Sequence, residues 1–329
     1  MIKWLITGGC GFIGRNLVNH LTNEGNHFIR ILDNLSVGSR NDLSTVCNFV
    51  ETNVAQLESS LFSETELVVG DILDADLAVN ASKGMDVIVH LAANTGVAPS
   101  VENPRMDCEN NVIGTLNMLE AARINGNKRF VFASSGAPAG EIEPPIHEEI
   151  APHPVSPYGA SKLSGEGYCS AYFHTFGIQT VCLRFGNVYG PLSSHKDSVV
   201  AKFIKHIMDG KPLEIYGDGT QTRDFIFAGD LIKAIRLSAQ TGGIGGETFQ
   251  IATSKETSVS ELAEKLIEIY KDLKGAHHHV EVKYSTPRKG DVKRNYSDTS
   301  KALMLLNWQA DTLLEDGLAK TISLFGSLD

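Results

Sequence analysis

The first fourteen residues, Met1–Gly14, have the sequence MIKWLITGGCGFIG and decide the fold of the chain. The apolar run Ile2–Ile6 is typical of a short buried strand, and a glycine-rich turn follows it directly. In this turn Gly8 permits a tight bend, Gly11 lets the backbone approach a pyrophosphate, and Gly14 allows close packing of helix on strand. The helix that begins here would offer free N–H groups to phosphates. The stretch therefore predicts a dinucleotide-binding strand–turn–helix unit.

The second apolar segment, Phe28–Leu32, supports this prediction because it ends in Asp33, nineteen residues after Gly14. An acidic residue about twenty positions after the glycine turn is suited to bind the adenosine ribose. Asp33 would also repel a 2′-phosphate, which favours NAD over NADP, although Arg40 lies nearby. Asp71, at the end of the next predicted strand, would either meet the adenine amino group or cap the following helix.

Short apolar strands alternate with amphipathic helices through the first half of the chain. The predicted strands are Ile2–Ile6, Phe28–Leu32, Leu67–Val69, Val87–Leu91, Arg129–Ala133 and Thr180–Leu183, and the helices include Asn110–Ile124 and Pro157–Phe176. This alternation predicts an α/β fold, a Rossmann-type doubly wound parallel sheet. Asp42–Thr65 is only weakly helical, and we expect it to be a surface insertion.

The pattern changes after residue 186. Residues 1–186, completed by part of 223–250, are predicted to form the dinucleotide-binding domain, and residues 187–329 a smaller α/β substrate lobe. Helices Val199–Asp209 and Ser258–Lys271 are expected in this lobe. A ligand would lie between the lobes, beyond the carboxyl ends of the strands.

Composition excludes several classes of function. With 29 basic and 39 acidic side chains the 329-residue chain carries a formal charge of −10. No basic stripe stands out, so we expect no nucleic-acid partner. No apolar run approaches the roughly twenty residues of a membrane-spanning helix, and no leader precedes the first strand. The five scattered cysteines form no CxxC pair and predict reduced thiols in a cytoplasmic protein.

The segment SPYGASK, residues 156–162, places Tyr158 and Lys162 at i and i+4 on one helix face. A tyrosine with a pKa of about 10 is a poor base at neutral pH. An ammonium about 6 Å away would supply roughly 3 kcal/mol of phenolate stabilisation at an effective dielectric near 20. We therefore predict that Lys162 does most of the lowering of the tyrosine pKa. A second YxxxK copy runs from Tyr270 to Lys274. Neither a strand with a glycine turn nor a strand ending in a hydroxyl residue leads into it, so we predict that it lies on the surface.

Ser135 ends the predicted strand that precedes this helix. A hydroxyl at a strand end can hydrogen-bond a reacting substrate oxygen, or it can simply terminate the strand. Its position in the chain between the glycine turn and the Tyr158–Lys162 pair favours the first interpretation.

Motifs over nearly the whole chain carry a family resemblance. They are TGGCGFIG (7–14), HLAA (90–93), NNVIGTL (110–116), SPYGASK (156–162), LRFGNVYGP (183–191), IYGDG (215–219) and QTRDF (221–225). With them the chain resembles the extended short-chain dehydrogenase/reductase family, in its nucleotide-sugar epimerase/dehydratase branch, and it is most similar to the UDP-hexose 4-epimerases.

The resemblance implies a tightly held NAD and a UDP-sugar substrate. It implies Tyr158 as acid/base, Lys162 on the nicotinamide ribose and Ser135 on the substrate 4-oxygen. The NAD-binding positions implied are Gly8, Gly11, Phe12, Ile13, Gly14, Asp33, Asn34, Asp71, Ile72, Leu91, Ala92, Ala93, Asn110, Tyr158 and Lys162. The substrate-binding positions implied are Ser135, Asn187, Tyr216, Arg223, Arg288, Asp291 and Asn295. Of these, Asn187, Arg223 and Arg288 would hold the diphosphate, to which arginine is chemically suited, and Asp291 would lie near the uridine ribose.

The residues after Ser135 separate members of the branch. Related dehydratases carry an Asp-Glu pair there, and related decarboxylases carry a carboxylate at the position of Ala137. Gly136 and Ala137 can neither deliver nor accept a proton, which favours epimerisation at C4 of UDP-glucose and UDP-galactose through a transient 4-keto sugar. Pro138 stands in a loop that departs from the family pattern, so the contacts to the sugar remain open.

Alternative functions also remain. Asn295, near the C2 substituent by the family pattern, is intermediate in size, so a UDP-N-acetylhexosamine is an alternative substrate, and UDP-glucuronate is another. An NAD-binding regulator without turnover is less favoured because Ser135, Tyr158 and Lys162 are intact, and a dehydratase is less favoured because of Gly136 and Ala137. A net oxidoreductase, which would consume or accumulate NADH, is a further, less favoured alternative. Helices Asn110–Ile124 and Pro157–Phe176 carry apolar stripes that fit either core burial or the homodimer implied by the resemblance.

No metal site is predicted, since the adjacent histidines His277–His279 would point to opposite faces of a strand.

Overall fold

The computed structural model describes residues 1–59, 65–275, 280–287 and 292–325. Two compact units divide the chain. The first contains Met1–Glu141, Glu148–Phe185 and Ile232–Phe249, and the second contains Ile142–His147, Gly186–Leu231 and the residues from Gln250 on. The predicted substrate residues Arg288 and Asp291 and the histidine run His277–His279 lie outside the described residues.

The elements alternate in the order expected of an α/β protein. The strands are β1 (Ile2–Thr7), β2 (His27–Asp33), β3 (Val50–Glu51), β4 (Glu66–Val69), β5 (Val87–His90), β6 (Arg129–Ser135), β7 (Gln179–Phe185), β8 (Asn187–Tyr189), β9 (Leu213–Tyr216), β10 (Thr222–Arg223), β11 (Phe225–Phe227), β12 (Thr248–Ile251), β13 (Thr257–Ser258) and β14 (Val282–Ser285). The helices are α1 (Phe12–Glu24), α2 (Arg40–Ser44), α3 (Ala75–Ser82), α4 (Val97–Glu102), α5 (Pro104–Cys108), α6 (Gly114–Asn125), α7 (Pro157–Phe176), α8 (Val199–Met208), α9 (Ala228–Gln240), α10 (Val259–Lys274), α11 (Ser300–Leu306) and α12 (Leu314–Leu324).

An eight-stranded sheet has the order β12-β7-β6-β5-β1-β2-β4-β3. Neighbours from β7 to β3 are parallel, and Thr7 at the end of β1 is in register with Leu32 on β2 and His90 on β5. The strand order reverses between β1 and β5. The carboxyl ends of these two strands therefore flank the crevice in which doubly wound sheets bind their ligands.

Apolar strands are buried because helices cover the sheet. Leu5, Phe28 and Phe130 belong to one buried cluster with Ala78 of α3 and Met118 of α6. Burial of such strands on both faces explains why their sequences are nearly continuous apolar runs. The predicted parallel sheet is confirmed.

The helix predicted at Asn110–Ile124 begins earlier. It starts at Pro104, where the Asn103 side chain accepts a hydrogen bond from Met106 N (3.1 Å), passes through a π-helical turn at Glu109–Ile113 and continues as α6. Asn at the N-cap followed by Pro is a strong start signal, and the prediction overlooked it. The helix ends at Gly126, whose φ of 66° is left-handed.

The segment predicted as a surface insertion, Asp42–Thr65, is in its described part integrated into the first unit. Its residues 50–51 form β3, the edge strand that pairs with β4. Leu43, Cys47 and Leu57 are buried. The prediction was wrong because a two-residue strand is too short to show a periodic pattern.

The second unit contains three small two-stranded sheets, β8 with β11, β9 with β14, and β10 with β13. Ile204 of α8, Leu262 of α10 and Leu318 of α12 pack with Leu213 and Phe225 in its buried cluster. The predicted helices here are confirmed with bounds of Val199–Met208 and Val259–Lys274. No helix among the described residues is both long and apolar enough to cross a bilayer.

Candidate active site

The glycine turn between β1 and α1 leaves no room for side chains on its inner side. A Cβ on Gly14 would lie 2.3 Å from Gly8 O, and one on Gly8, whose φ is +70°, would lie 2.8 Å from Ala92 N. A Cβ on Gly11 would meet only Gly8 O, at 3.3 Å. Gly14 and Gly8 therefore serve close packing, and a side chain at Gly11 would also press on the backbone of the turn.

The N-terminus of α1 has neither a side-chain cap nor an acidic residue beside it. Gly11 is its N-cap without a side-chain hydrogen bond, and the first turn carries no acidic residue. Phe12 is buried, and Ile13 follows it in this first turn. Free N–H groups at a helix end next to a glycine turn suit a pyrophosphate.

Asp33 ends β2 beside this turn. Its carboxylate accepts hydrogen bonds from Cys10 N (2.8 Å) and Leu35 N (2.8 Å). Burial raises the pKa of Asp33, and these hydrogen bonds oppose the rise. Asp33 thus fastens the glycine turn to the loop after β2, and each of its oxygens keeps a further lone pair for a ribose hydroxyl.

Arg40 does not contribute a free cation at this place. Its guanidinium makes a two-pronged ion pair with Glu51, with distances of 2.6 and 2.9 Å. The proximity of Arg40 to Asp33 in the sequence was the reason to consider NADP. Since the charge of Arg40 is already matched by Glu51, it gives no support to a 2′-phosphate site.

Asp71 accepts hydrogen bonds from the Asn34 side chain (2.9 Å) and from Leu73 N (2.9 Å). The N-cap of α3 is Asp74, which accepts from Leu77 N. The helix-capping alternative for Asp71 is therefore wrong. Asn34 and Asp71 join the loops that follow β2 and β4.

The predicted residues after β5 lie next to β1. Leu91 N and Ala92 N donate to the backbone oxygen and the hydroxyl oxygen of Thr7 (3.2 and 3.1 Å), and Ala93 follows them. Ile72 is buried after β4. Asn110 donates its side-chain amide to Met106 O (2.8 Å) within its own helix.

Three side chains meet at the end of β6 and the start of α7. Ser156 caps α7 by accepting from Gly159 N (3.1 Å), which fixes the first turn that carries Tyr158. The Ser135 hydroxyl accepts a hydrogen bond from Ala137 N (3.2 Å) and lies close enough to the half-buried Tyr158 side chain to lower the pKa of its phenol. Lys162, 4% exposed, donates to Ala133 O (2.9 Å) and lies 5.9 Å from the Tyr158 ring centroid. The predicted proximity of the three residues is observed.

The prediction that Lys162 lowers the pKa of Tyr158 is wrong for the protein on its own. Burial raises the pKa of the Tyr158 phenol to about 12, Ser135 opposes the rise, and the charge of Asp107 adds to it. Burial also lowers the pKa of Lys162 to about 8. The prediction counted the attraction between the two charges and omitted desolvation, which dominates here.

The loop after Ser135 packs against α7. Ala137–Ala139 form a 3-10 turn in which Pro138 and Ala139 are buried. A Cβ on Gly136 would meet no atom within 4 Å. Neither Gly136 nor Ala137 offers a group for proton transfer beside Ser135.

A buried ion pair fixes α7 on the sheet one turn beyond Lys162. Arg184 of β7 donates Nε and Nη2 to the two oxygens of Glu166 (2.8 Å each), and the Ser134 hydroxyl donates to the same carboxylate (2.6 Å). This network sets the position of α7 against β6, which carries Ser135.

A buried polar network, which was not predicted from the sequence, lies at the end of β5 and in the π-helical turn. His90 lies between Thr7 (2.8 Å) and Thr115 (3.1 Å), and burial lowers its pKa to about 3. The buried side chain of Asn111 accepts a hydrogen bond from Asn94 N (2.8 Å). The buried amide of this pair is therefore that of Asn111, whereas Asn110 is the residue predicted to bind NAD. The adjacent asparagines Asn110 and Asn111 indicate in the sequence that a polar side chain could be buried here. Which of the two is buried depends on the π-helical turn at Glu109–Ile113.

The predicted substrate residues of the second unit occupy strands and loops. Asn187 is exposed at the start of β8, and Asn295 is half-buried. Tyr216 donates its hydroxyl to Glu214 (2.8 Å). Arg223 donates to Thr222 O (2.6 Å) and Val292 O (2.7 Å).

The fold and this site define a dinucleotide-binding α/β protein with a serine, a tyrosine and a lysine at the reacting end of the sheet. The family model of the NAD-dependent epimerase/dehydratase family matches residues 4–252. The chain belongs to this family, and NAD is its cofactor. The glycine turn without side chains, the absence of a side-chain cap on α1 and the paired Arg40 fit NAD.

Relatives and solved structures resemble the chain over its whole length. A putative UDP-glucose 4-epimerase from Methanocaldococcus jannaschii is 37% identical over 97% of both chains. A crystal structure of UDP-glucose 4-epimerase from Thermotoga maritima with UDP-glucose superposes with a TM-score of 0.86, 32% identity and 99% of both chains. A UDP-N-acetylglucosamine 4-epimerase from Methanobrevibacter ruminantium superposes with a TM-score of 0.87 and 31% identity, covering 99% of this chain and 98% of the other.

Proposed function

We propose that the protein is an NAD-dependent 4-epimerase that interconverts UDP-glucose and UDP-galactose. The observation that carries the proposal is the arrangement at the end of β6. Ser135, Tyr158 and Lys162 come together there, while Gly136 and Ala137 bring no acid or base for a second reaction. A site with one proton-transferring residue suits a reaction that needs one transient oxidation at C4. The relatives named UDP-glucose 4-epimerase support this substrate.

The roles of the three residues follow from their contacts. Tyr158 takes the proton from the sugar 4-hydroxyl and returns it to the same oxygen. Ser135, next to the Tyr158 phenol, holds the 4-oxygen in line with the phenol. Lys162 is fixed by Ala133 O and holds a positive charge near the phenol, and by the family resemblance it would also bind the nicotinamide ribose. NAD, when bound, supplies the acceptor and donor for the C4 hydride.

We also assign substrate-binding roles to residues after position 186. Asn187 and Arg223, together with Arg288, are assigned to the diphosphate and Asp291 to the uridine ribose, and Tyr216 is assigned to the substrate without a more specific role. Asn295 is assigned to the C2 side of the sugar. The support is the family membership and the suitability of guanidinium groups for phosphate.

The test is a substrate panel without added NAD. Purified protein is incubated separately with UDP-galactose, UDP-N-acetylgalactosamine and UDP-galacturonate, and the products are resolved by anion exchange or NMR. We expect UDP-glucose to form fastest, from UDP-galactose. Faster turnover of the acetamido sugar would assign the substrate to the N-acetylhexosamine class, and conversion of none of the three would contradict 4-epimerisation.

We also propose a cytoplasmic homodimer. The cysteines of the described residues are free thiols, and all except Cys108 are buried, which fits a reducing compartment. Ile124 of α6 and Tyr168 and Phe176 of α7 expose apolar surface on the two helices that the family resemblance assigns to the dimer. This apolar surface supports pairing of these helices with a second copy.

A further inference from the structure

Asp107 is a buried carboxylate with an incomplete set of partners. It lies on α5, which packs against α7, and is only 1% exposed. Its Oδ1 accepts from the Asn111 side chain (2.9 Å), whereas its Oδ2 is buried and has no hydrogen-bond partner among the described residues. Burial of an ionised carboxylate without a matching cation is costly, so such a group calls for an explanation.

The polar chain that starts at Asp107 ends at the reacting tyrosine. The Asn111 amide also lies 3.2 Å from the Ser161 hydroxyl, and that hydroxyl donates to Tyr158 O (3.0 Å). Asp107 is thus connected by two side chains to the turn that carries Tyr158.

Lys162 is a buried cation that has no carboxylate partner among the described residues. Within the described part of the chain its ammonium donates to a carbonyl, Ala133 O, and lies over the Phe132 ring at 5.0 Å. Neither contact carries a full negative charge. An ammonium buried in this way needs a nearby anion to stay protonated.

Glu166 of α7 and Asp107 of α5, the helix that packs against α7, are the buried carboxylates that could offset the Lys162 charge, and they differ in their own partners. Glu166 accepts hydrogen bonds from Nε and Nη2 of Arg184 and from the Ser134 hydroxyl, so its charge is already neutralised by this ion pair. Asp107 makes no ion pair with a described cation. The other ionisable groups near Lys162 are the Cys169 thiol of α7, the neutral His90 of β5 and Tyr158 itself.

We propose that Asp107 is a positioning residue that keeps Lys162 protonated and in place behind Tyr158. This inference rests on the proposed function. The carboxylate acts through Lys162 and the Asn111–Ser161 chain, and it touches neither the sugar nor the reacting atoms.

The direction of the effect follows from the sign of the charge. Asp107 raises the pKa of Lys162 and also that of Tyr158. Removal of its charge therefore lowers both pKa values. The activity needs an ionised tyrosine and a protonated lysine, so both limbs of the pH profile move to lower pH together.

The test is Asp107→Asn, which keeps an oxygen for Asn111 and removes the charge. We expect both limbs of the kcat profile of the NAD-loaded enzyme with UDP-galactose to move down by about one pH unit, the order expected of one buried charge. Glu109→Gln is the matched control. It removes the same charge in the adjoining helical turn, where Glu109 pairs with the exposed Arg105, and it leaves the limbs in place.

A second measurement follows Tyr158 directly. Near-ultraviolet difference spectra of the holoenzyme, with Tyr158→Phe as reference, report the phenolate as pH rises, whether or not any sugar is turned over. We expect its appearance at lower pH in Asp107→Asn, and in Asp107→Ser should the first variant fail to fold. A uniform loss of kcat with unmoved limbs and an unmoved phenolate titration would overturn the proposal.

Discussion

The phenol of Tyr158 is held neutral by its surroundings in the protein alone. Burial raises its pKa to about 12, and Ser135 is the described neighbour that opposes this rise. Such a phenol is a donor to a sugar oxygen. Its ionisation at neutral pH requires positive charge beyond what Lys162 supplies, and this charge has to enter with the ligands.

Substitution Tyr158→Phe removes the acid/base group and leaves the ring. We expect kcat for UDP-galactose to fall by about 100- to 10,000-fold, the usual contribution of proton transfer. Resident NAD, measured by its absorbance after release, should be retained. Tyr270→Phe is the control, since it removes a hydroxyl from the second YxxxK pair, on α10; equal losses in the two variants would contradict the assignment.

Single residues were predictable where a motif names them. Asp33, Tyr158 and Lys162 could be placed because their spacing from a strand or helix start is fixed. Asp107 and Asn111 could not, because their burial depends on where α5 begins and on the π-helical turn that follows it.

The glycine turn and α1 form the element that receives the dinucleotide. Gly14→Ala would place a methyl group 2.3 Å from Gly8 O and 2.6 Å from Gly9 Cα, both backbone atoms that cannot yield easily. We expect the variant to lose resident NAD and about 1–3 kcal/mol of unfolding free energy, the usual penalty for overpacking. Denaturant unfolding and NAD content measure the two effects. Gly242→Ala, where a Cβ meets nothing within 4 Å, should change neither.

The strand β5 contains a pH-sensitive residue in His90. Its native pKa of about 3 lies below the ordinary value of 6.5, so between these values the unfolded chain binds a proton that the native chain does not. Acidification through this window therefore lowers the unfolding free energy, by on the order of 1 kcal/mol per pH unit. His90→Asn should show a shallower decline in denaturant titrations, whereas His174→Asn, at an exposed position of α7, should follow the wild type. Parallel curves for His90→Asn and wild type would exclude this role of His90.

Strands and helices of the first unit were predictable because buried parallel strands are nearly continuous apolar runs. The short β3 and the start of α5 were not, since one is too short for a periodic pattern and the other depends on capping by Asn103.

At the scale of the whole molecule, the chain passes between two units more often than its motifs indicate. Ile142–His147 belongs to the second unit because Ile146 N donates to Tyr296 O (2.9 Å) and Ile146 O accepts from Asp298 N (2.8 Å). Such a pairing joins residues about 150 positions apart, and local sequence patterns do not report it.

The proposed homodimer is testable through an exposed side chain. Ile124, 56% exposed on α6, should lie in the contact, so Ile124→Glu should shift the protein from the mass of two chains toward that of one in light scattering. Met304→Glu, at a 75% exposed position of α11, is the matched control and should leave the mass unchanged. A monomeric wild type would refute the homodimer without affecting the assigned reaction.

The C4 hydride transfer is tested with UDP-galactose deuterated at C4, incubated with the protein in ordinary water and without added NAD. Transient oxidation at C4 with return of the same hydrogen predicts UDP-glucose that retains deuterium at C4, as read by NMR or mass spectrometry. Formation of UDP-glucose that has lost the label to solvent would contradict the account, since the C4 hydrogen would then have left as a proton.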